Sequence, residues 1–489
     1  MKYALGIDFG GGASKATLLS QDGRIAATNT VEYPTLYPKS GWTEQNPMDW
    51  YDATKKNIKA VLEKSGVSAE DISVLSLDAA THTAVVMDSD FNVLRPSIYW
   101  TDIRSLKEVE YLRENYNDII LKQVLHNVDT IWTLPQLLWI KNNEPQIWAK
   151  VGKIMFAKDF VRHKFTGDYV TDNIEAEGSM LFDYNRQCWS EELCGILSLD
   201  TRALPKIVSP SDVAGTVSAD AAADTGLCEG TTVLCGTTDT VMEVFAAGAV
   251  SEGQMTLKLA TAGRICVVTS KSYPDKNLIN YSHVIDGLWY PGTATKSCAA
   301  SYRWYRDTFG GDYAELDRGA ESIAPGADGL VFSPYLNGEL TPYADPKLCA
   351  SFIGVRSSHT KAHFTRAVLE GVSMSILDCK NELEKIGIPH EDSAAIIGGG
   401  GKSPLWRQIT SDILGIKLVE KKYADSSFGS AMFAGVAAGF WKTPKDALDV
   451  CNETVSETRP DAKNHALYKK VFERYKKVHD ALAPIYNED

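Results

Sequence analysis

No C-x-x-C pair occurs among the nine cysteines, which lie scattered between positions 188 and 451. An odd count without metal-ligand spacing excludes a zinc ribbon and argues against a disulfide framework, so buried, reduced thiols are expected. Blocks of Lys and Arg are missing too. With 50 Lys and Arg against 63 Asp and Glu the net charge is −13, which makes nucleic acid and anionic membranes poor partners. The longest apolar run, residues 429–441, falls short of the roughly 20 residues a membrane-spanning helix needs. The opening MKYALGIDFGGG has neither an apolar leader core nor a cleavage site, so the cytosol is the expected location. There is no linker rich in Pro, Ser or Gly to mark a boundary.

What is present reads as α/β. A chain of 489 residues exceeds one ordinary core, so two large domains are expected, with the boundary placed near residue 245: 1–245 and 246–489. Residues 3–8, 14–20 and 24–31 read as three antiparallel strands, with Gly10, Gly11 and Gly12 at the first bend and Asp22-Gly23 at the second. Asn46-Pro47 opens a helix that Gly66 closes, and residues 72–77 form a strand that stops at Asp78. Residues from about 105 to 225 mix helical stretches with Pro, Gly and Asp punctuation, in an order the sequence does not reveal. The second half repeats the outline: strands at 255–259 and 265–269 flank a bend at Thr261, Ala262 and Gly263. An amphipathic helix follows over 361–386, then a strand at 394–397, four glycines, and a helix opened by Ser403-Pro404. A last helix, 463–482, reads as structural.

Five constellations carry chemistry. Asp8 at a strand end beside Gly10, Gly11 and Gly12, followed by Ser14 and Lys15, suits phosphate. Glycines permit positive φ and let amides approach an anion, and Lys15 adds a cation. A carboxylate beside phosphate requires a cation between them, and Mg²⁺ held by Asp8 through water meets that need. The bland alternative is a Gly-rich hairpin with a solvated Asp. Thr261 and Gly263 could grip phosphate from the other half, although alone they are an ordinary turn. Gly399, Gly400 and Ser403, between a strand and a helix, suit an anion such as phosphate, or a nucleotide, unless they form only a tight turn without a ligand. Gly401-Lys402-Ser403 is not a Walker A, because Ile396 stands where that motif needs glycine. Asp239, after a strand end, could take a proton from a hydroxyl, or could merely cap the next helix. Asp78, Thr81, His82, Trp100 and Arg104 could bind hydroxyls, or could be satisfied core residues.

In this order the pieces resemble the FGGY carbohydrate kinases over residues 4 to about 440. GIDFGGGASKATLL is similar to the first phosphate motif of that family, LRPSIYWTDIR to its Arg-Pro…Trp-x-Asp-x-Arg segment, PYLNGELTP and RAVLEGV to its second signature, and GGGGKSPLWRQITSDILG to its adenosine loop. The resemblance implies two ribonuclease-H-like domains of the actin/hexokinase ATPase type flanking a deep cleft, with ATP on the second domain and sugar mainly on the first. It places Asp239 on the catalytic base, Gly399, Gly400 and Ser403 near the nucleoside, and His82 and Thr240 near the sugar. The implied reaction is ATP-dependent phosphorylation of a terminal hydroxyl of a ketopentose such as D-xylulose. Gluconate, ribulose or glycerol are alternative acceptors, and a nucleotide-binding sensor is an alternative class. Gluconate would want a cation, for which Arg104 is the nominee. The implied partners are a small sugar, ATP and Mg²⁺, with a homodimer left open. Gly11 stands where the family usually has Thr, Thr240 where it has Asn or Gln, Thr81 and Thr83 where Met and Gly flank the His, and Leu340 where Arg is usual.

Overall fold

The computed structural model describes residues 1–488, in two packing units. The first comprises Met1–Val250, Tyr281–Gly287 and Tyr423–Glu453. The second comprises Ser251–Asn280, Leu288–Lys422 and the chain from Thr454 onward. The chain therefore passes from one unit to the other several times, whereas the sequence suggested one boundary near 245.

Strands β1 (Tyr3–Phe9), β2 (Ala13–Ser20), β3 (Ile25–Glu32), β4 (Ile72–Ala79), β5 (Val213–Thr216), β6 (Thr232–Leu234) and β7 (Thr237–Thr238) build the sheet of the first unit. Its order is β5-β6-β4-β1-β2-β3, with β7 also pairing β4. The meander β1-β2-β3 is antiparallel, β4 joins β1 in parallel, β6 joins β4 in parallel, and β5 closes antiparallel. The second unit repeats that scheme with β8 (Met255–Leu259), β9 (Gly263–Val267), β10 (Gly292–Thr295), β11 (Ser393–Ile397), β12 (Lys417–Lys421) and β13 (Thr454–Thr458), in the order β10-β9-β8-β11-β12-β13. Again a meander is followed by two parallel strands and an antiparallel edge. This is a ribonuclease-H-like topology twice over, the actin/hexokinase type.

The helices that matter are α1 (Pro47–Ser65), α2 (Ala157–Thr166), α3 (Asp239–Ala246), α4 (Lys361–Ile386), α5 (Pro404–Leu414) and α6 (Ser426–Ala437). Local chemistry sets their ends. Asn46 caps α1 through Met48 N–H at 3.2 Å, Pro47 fills its first position, and Gly66 leaves in the left-handed region at φ 65°. On one face of the first sheet, Leu5, Ile7, Ala16 and Leu18 form a core with Trp50 and Ile58 of α1 and Phe160 and Phe165 of α2. α3 and α6 pack on each other, and α6 lies against β1, β2 and β4. In the second unit, Val368, Val372 and Ile376 of α4 line a core with Leu257, Ile265 and Trp406. Among the described residues no helix is long and apolar enough to cross a membrane.

Candidate active site

The register of β1 sets the first constellation. Asp8 lies level with Asp78 on β4 and opposite Lys15 on β2, and residues level across a ladder share a face of the sheet. α6 covers that face. Its N-cap Asp425 accepts from Phe428 N–H at 3.2 Å and pairs with Lys15 Nζ at 3.0 Å. The Ser430 hydroxyl donates to Asp78, and Ser427 bonds Thr17 at 2.7 Å. Glycine permits this approach. A Cβ on Gly6 would lie 2.0 Å from the Ser427 carbonyl oxygen, and one on Gly429 would lie 2.4 Å from that of Met242 in α3.

Asp239 joins the group from β7, which pairs with β4 at Asp78 and Ala79 and turns directly into α3. Thr238 stands at the N-cap and Asp239 is the first helical residue, which removes the capping alternative. The positive end of the helix favours an ionised carboxylate there, and the Thr240 hydroxyl donates to Asp239 Oδ1 at 3.2 Å.

These carboxylates perturb one another. Asp8 is pushed up to about 7, first by burial, then by the charge of Asp239, with Glu243 and Asp425 adding to it. Asp78, hydrogen-bonded to Asp8, is held well above the usual carboxylate range by burial and then by the charge of Asp8. Carboxylates crowded in this way fit a hard divalent cation, which takes oxygen ligands. Among the described residues no three His, Cys, Asp or Glu side chains converge to ligate an ion directly. A cation here would keep most of its water, as Mg²⁺ commonly does.

The bend of Gly10, Gly11 and Gly12 works differently from the expectation. None of the three takes a positive φ. Their carbonyls are tied back: Tyr33 donates to Gly10 O at 2.6 Å, while Thr35 and Gln45 donate to Gly11 O at 2.8 and 2.9 Å. A Cβ on Gly10 or Gly12 would meet nothing within 4 Å, so these glycines leave open space over the bend. At Gly11 a Cβ would sit 3.3 Å from the Tyr99 hydroxyl, so a Thr there would crowd that tyrosine. Ser14 is fully buried beside Ala16 and Leu18 in the strand alternation, on the face away from Lys15. Its hydroxyl therefore does not accompany Lys15, which corrects the pairing of these two as phosphate ligands.

A second constellation surrounds His82, just beyond β4. Its backbone is left-handed, at φ 56°, a conformation that non-glycine residues hold only when their surroundings enforce it. Glu175 accepts its N–H at 2.6 Å, and the Thr133 hydroxyl donates to its carbonyl at 2.6 Å. Its ring lies 4.7 Å from that of Trp132, and its Nε2 is 3.1 Å from the Tyr281 hydroxyl. Gly178 makes room for it, since a Cβ there would lie 1.9 Å from His82 Nδ1. Glu175 and Gly178 share the short helix Asn173–Gly178, whose cap Asp172 also accepts from Thr237 of β7 at 2.7 Å and pairs with Lys158 at 2.8 Å. One buried carboxylate thus braces both the strand before Asp239 and the helix beneath His82. Tyr281 arrives on the segment Tyr281–Gly287, fastened by Ser282 N–H and Oγ on Glu177 at 2.8 and 2.7 Å. Burial pushes Glu177 up to about 8.

Trp100 is 40% exposed and hydrogen-bonds the buried Tyr99. Thr81 is half-buried and Thr83 buried. Arg104 is not available to an acidic ligand: it is buried, pairs with Asp102 and Glu44 at 2.7 Å each, and stacks on Trp42 at 3.8 Å. The sequence reading missed Asp425, Glu243, Glu175, Trp132 and Tyr281 as members of these groups.

In the second unit the bend at Thr261 and Ala262 rests on the start of the helix Ala299–Phe309, where Cys298 N–H reaches Thr261 O at 3.0 Å and Ala299 N–H reaches Ala260 O at 2.7 Å. Arg303 donates to Thr261 Oγ1 at 3.4 Å. Gly263 is a packing requirement, since a Cβ would come within 2.6 Å of Ile376. The glycine run forms a single 3₁₀ turn, Gly399–Lys402, after Gly398 at φ 92°. Gly400 packs under Trp406, while a Cβ on Gly399 would meet nothing within 4 Å. Ser403 caps α5 through Trp406 N–H at 3.1 Å and donates to Asp317 at 2.6 Å.

Residues 3–246 match the model of the N-terminal domain of the FGGY family of carbohydrate kinases, and residues 233–438 match that of its C-terminal domain. A xylulose kinase of Bacillus subtilis is 31% identical over 484 residues, covering 98% of this chain and 97% of that one. A gluconokinase of the same organism is 27% identical, covering 93% of this chain and 91% of its own. The crystal structure of xylulose kinase from Rhodospirillum rubrum superposes with a TM-score of 0.92 at 26% identity, with both chains fully covered.

Proposed function

Because this chain belongs to the FGGY family of carbohydrate kinases, we propose that it transfers the γ-phosphate of ATP to the terminal hydroxyl of a ketopentose, converting D-xylulose to D-xylulose 5-phosphate. It is a sugar kinase with ATP as co-substrate. The observation that carries the reading is the placement of Asp239 at the start of α3, beside buried Asp8 and Asp78. Asp239 takes the proton of the hydroxyl as its oxygen attacks the γ-phosphorus. The new O–P bond forms as the bond to the bridging oxygen breaks, and ADP leaves. The transition state is loose, so positioning and charge stabilisation dominate. Mg²⁺, held through water by Asp8, would supply neutralisation of the phosphate charge. We assign the sugar to the 1–245 half, at His82, Trp132 and Thr240, and the nucleotide to the 246–489 half, with Thr261 and Gly263 at its phosphates and Gly399 and Gly400 near its nucleoside. Lys15 serves the phosphates, and the cytosol is the location this chemistry calls for.

Xylulose is favoured over gluconate by the 31%-identical relative and by Arg104, whose charge is already spent on Asp102 and Glu44. ADP release with Mg²⁺-ATP across D-xylulose, D-ribulose, L-ribulose, D-gluconate and glycerol tests this directly. D-Xylulose is expected to give the highest kcat/KM. A preference for gluconate would overturn the substrate, and silence throughout would favour a sensor.

Glu175 is a positioning residue in this scheme. Glu175→Ala removes the acceptor for His82 N–H and is expected to raise the sugar KM about ten-fold, with the ATP KM nearly unchanged. Glu175→Gln keeps an acceptor oxygen and is expected to restore most of the loss. An unaltered sugar KM in the alanine variant would show that the backbone of His82 needs no such support.

A further inference from the structure

His126 has no role in the scheme above, yet it is the most anomalous polar side chain of the first unit. It is 1% exposed, and neither Nδ1 nor Nε2 has a hydrogen-bond partner. A neutral imidazole carries one N–H donor and one lone pair, and buried polar atoms are nearly always paired with protein, water or ligand. The same unit satisfies another buried histidine in full: His283 Nε2 meets Ala249 O at 3.0 Å, and its Nδ1 accepts Ile285 N–H at 3.0 Å. The fold can therefore pair a buried imidazole, and at His126 it does not.

The location is equally specific. The ring of His126 stacks on Trp132 with centroids 4.2 Å apart and planes at 28°. Trp132 is the ring that lies 4.7 Å from His82. Tyr281, which bonds His82, stands 6.3 Å from His126 and 6.2 Å from Trp132. His126 is thus one member of the aromatic cluster built around His82. Burial pushes its pKa down to about 3, so at neutral pH the ring offers one donor and one acceptor and no charge. A hydroxyl has the same two capacities, whereas a carboxylate has only acceptors and would need a cation when buried.

We infer that His126 is a specificity-determining residue of the acceptor pocket, where its uncharged imidazole hydrogen-bonds a hydroxyl on the carbon chain of a neutral sugar. The inference rests on the reading that places the acceptor at His82.

The test is steady-state kinetics of the full chain with His126→Phe, which keeps a flat ring against Trp132 and removes both nitrogens. The acceptor KM is expected to rise about ten-fold, the loss of one hydroxyl hydrogen bond, while the ATP KM stays put. A melting temperature that holds or rises while the acceptor KM is unchanged would overturn the inference, because that is the result of simply removing unpaired buried nitrogens. Deoxy acceptors give a readout that does not depend on the variant folding. The wild type is expected to lose about ten-fold in kcat/KM on one monodeoxy ketopentose, and where His126→Phe is active that analogue alone should be indifferent to it. Equal kcat/KM on every monodeoxy analogue that keeps the terminal hydroxyl would also overturn the inference. His82→Ala run in parallel separates the two levels. If it leaves the acceptor KM unchanged, the placement of the sugar fails. If it raises that KM while His126→Phe does not, only the role of His126 fails.

Discussion

Asp239→Asn is expected to lower kcat by about 10²–10⁴, with the KM values for sugar and ATP altered little. Asparagine keeps the shape of the side chain and can still accept from the Thr240 hydroxyl, which stands 3.2 Å from Asp239 Oδ1. What it loses is the capacity to accept a proton. Its position at the first residue of α3 is also kept, so the fold should tolerate the change. A second consequence separates this residue from a mere neighbour of the site. The charge of Asp239 is the largest electrostatic cause, after burial, of the raised pKa of Asp8. Removing it should move the acidic limb of any residual activity to lower pH. Single-turnover rates across pH 5 to 9 read both effects, and near-wild-type turnover in the variant would rule out a general base at this position.

The parts of this architecture fixed by local chemistry are legible in the sequence. The helix expected over 361–386 is Lys361–Ile386, because one apolar stripe runs its whole length and Gly387 ends it at φ 86°. The N-terminal meander follows in the same way from short apolar runs punctuated by the Gly10-Gly11-Gly12 bend and the Asp22-Gly23 turn. The candidate site is another matter. Asp8 and Asp78 meet through a parallel register 70 positions apart, and Asp425 reaches Lys15 only because residues 423–453 fold back into the first unit. Nothing local announces that return. Its helix α6 reads as a short apolar run, and the meaning of its small residues appears only when Gly6 is found beneath Ser427. The cradle of His82 was hidden for a related reason. It sits on the six-residue helix Asn173–Gly178, inside the stretch whose elements the sequence does not order, and its function depends on the left-handed turn of His82, a conformation that only a few per cent of non-glycine residues adopt.

Asp8→Asn should abolish Mg²⁺-dependent turnover and, at the same time, stabilise the protein at alkaline pH. Folding raises Asp8 from 3.8 to about 7, so the folded chain holds this proton more tightly than the unfolded one. The stability linked to that proton is complete below about pH 4 and is lost as pH rises through 7. Above that range an ionised carboxylate remains buried beside Asp78 and Asp239, and asparagine escapes the cost. Calorimetry is therefore expected to find the variant melting above the wild type at pH 8, with the gap closing towards pH 5. Added Mg²⁺ should narrow the gap at pH 8 from the other side, by stabilising the wild type and leaving the variant unchanged, since a ligand that binds only the native state raises its stability. A variant that melts below the wild type at pH 8, or that keeps Mg²⁺-dependent activity, would remove Asp8 from the phosphate site. The expected combination of greater stability and lost activity would mean that the sheet tolerates an unfavourable carboxylate at the end of β1 because the reaction requires one there.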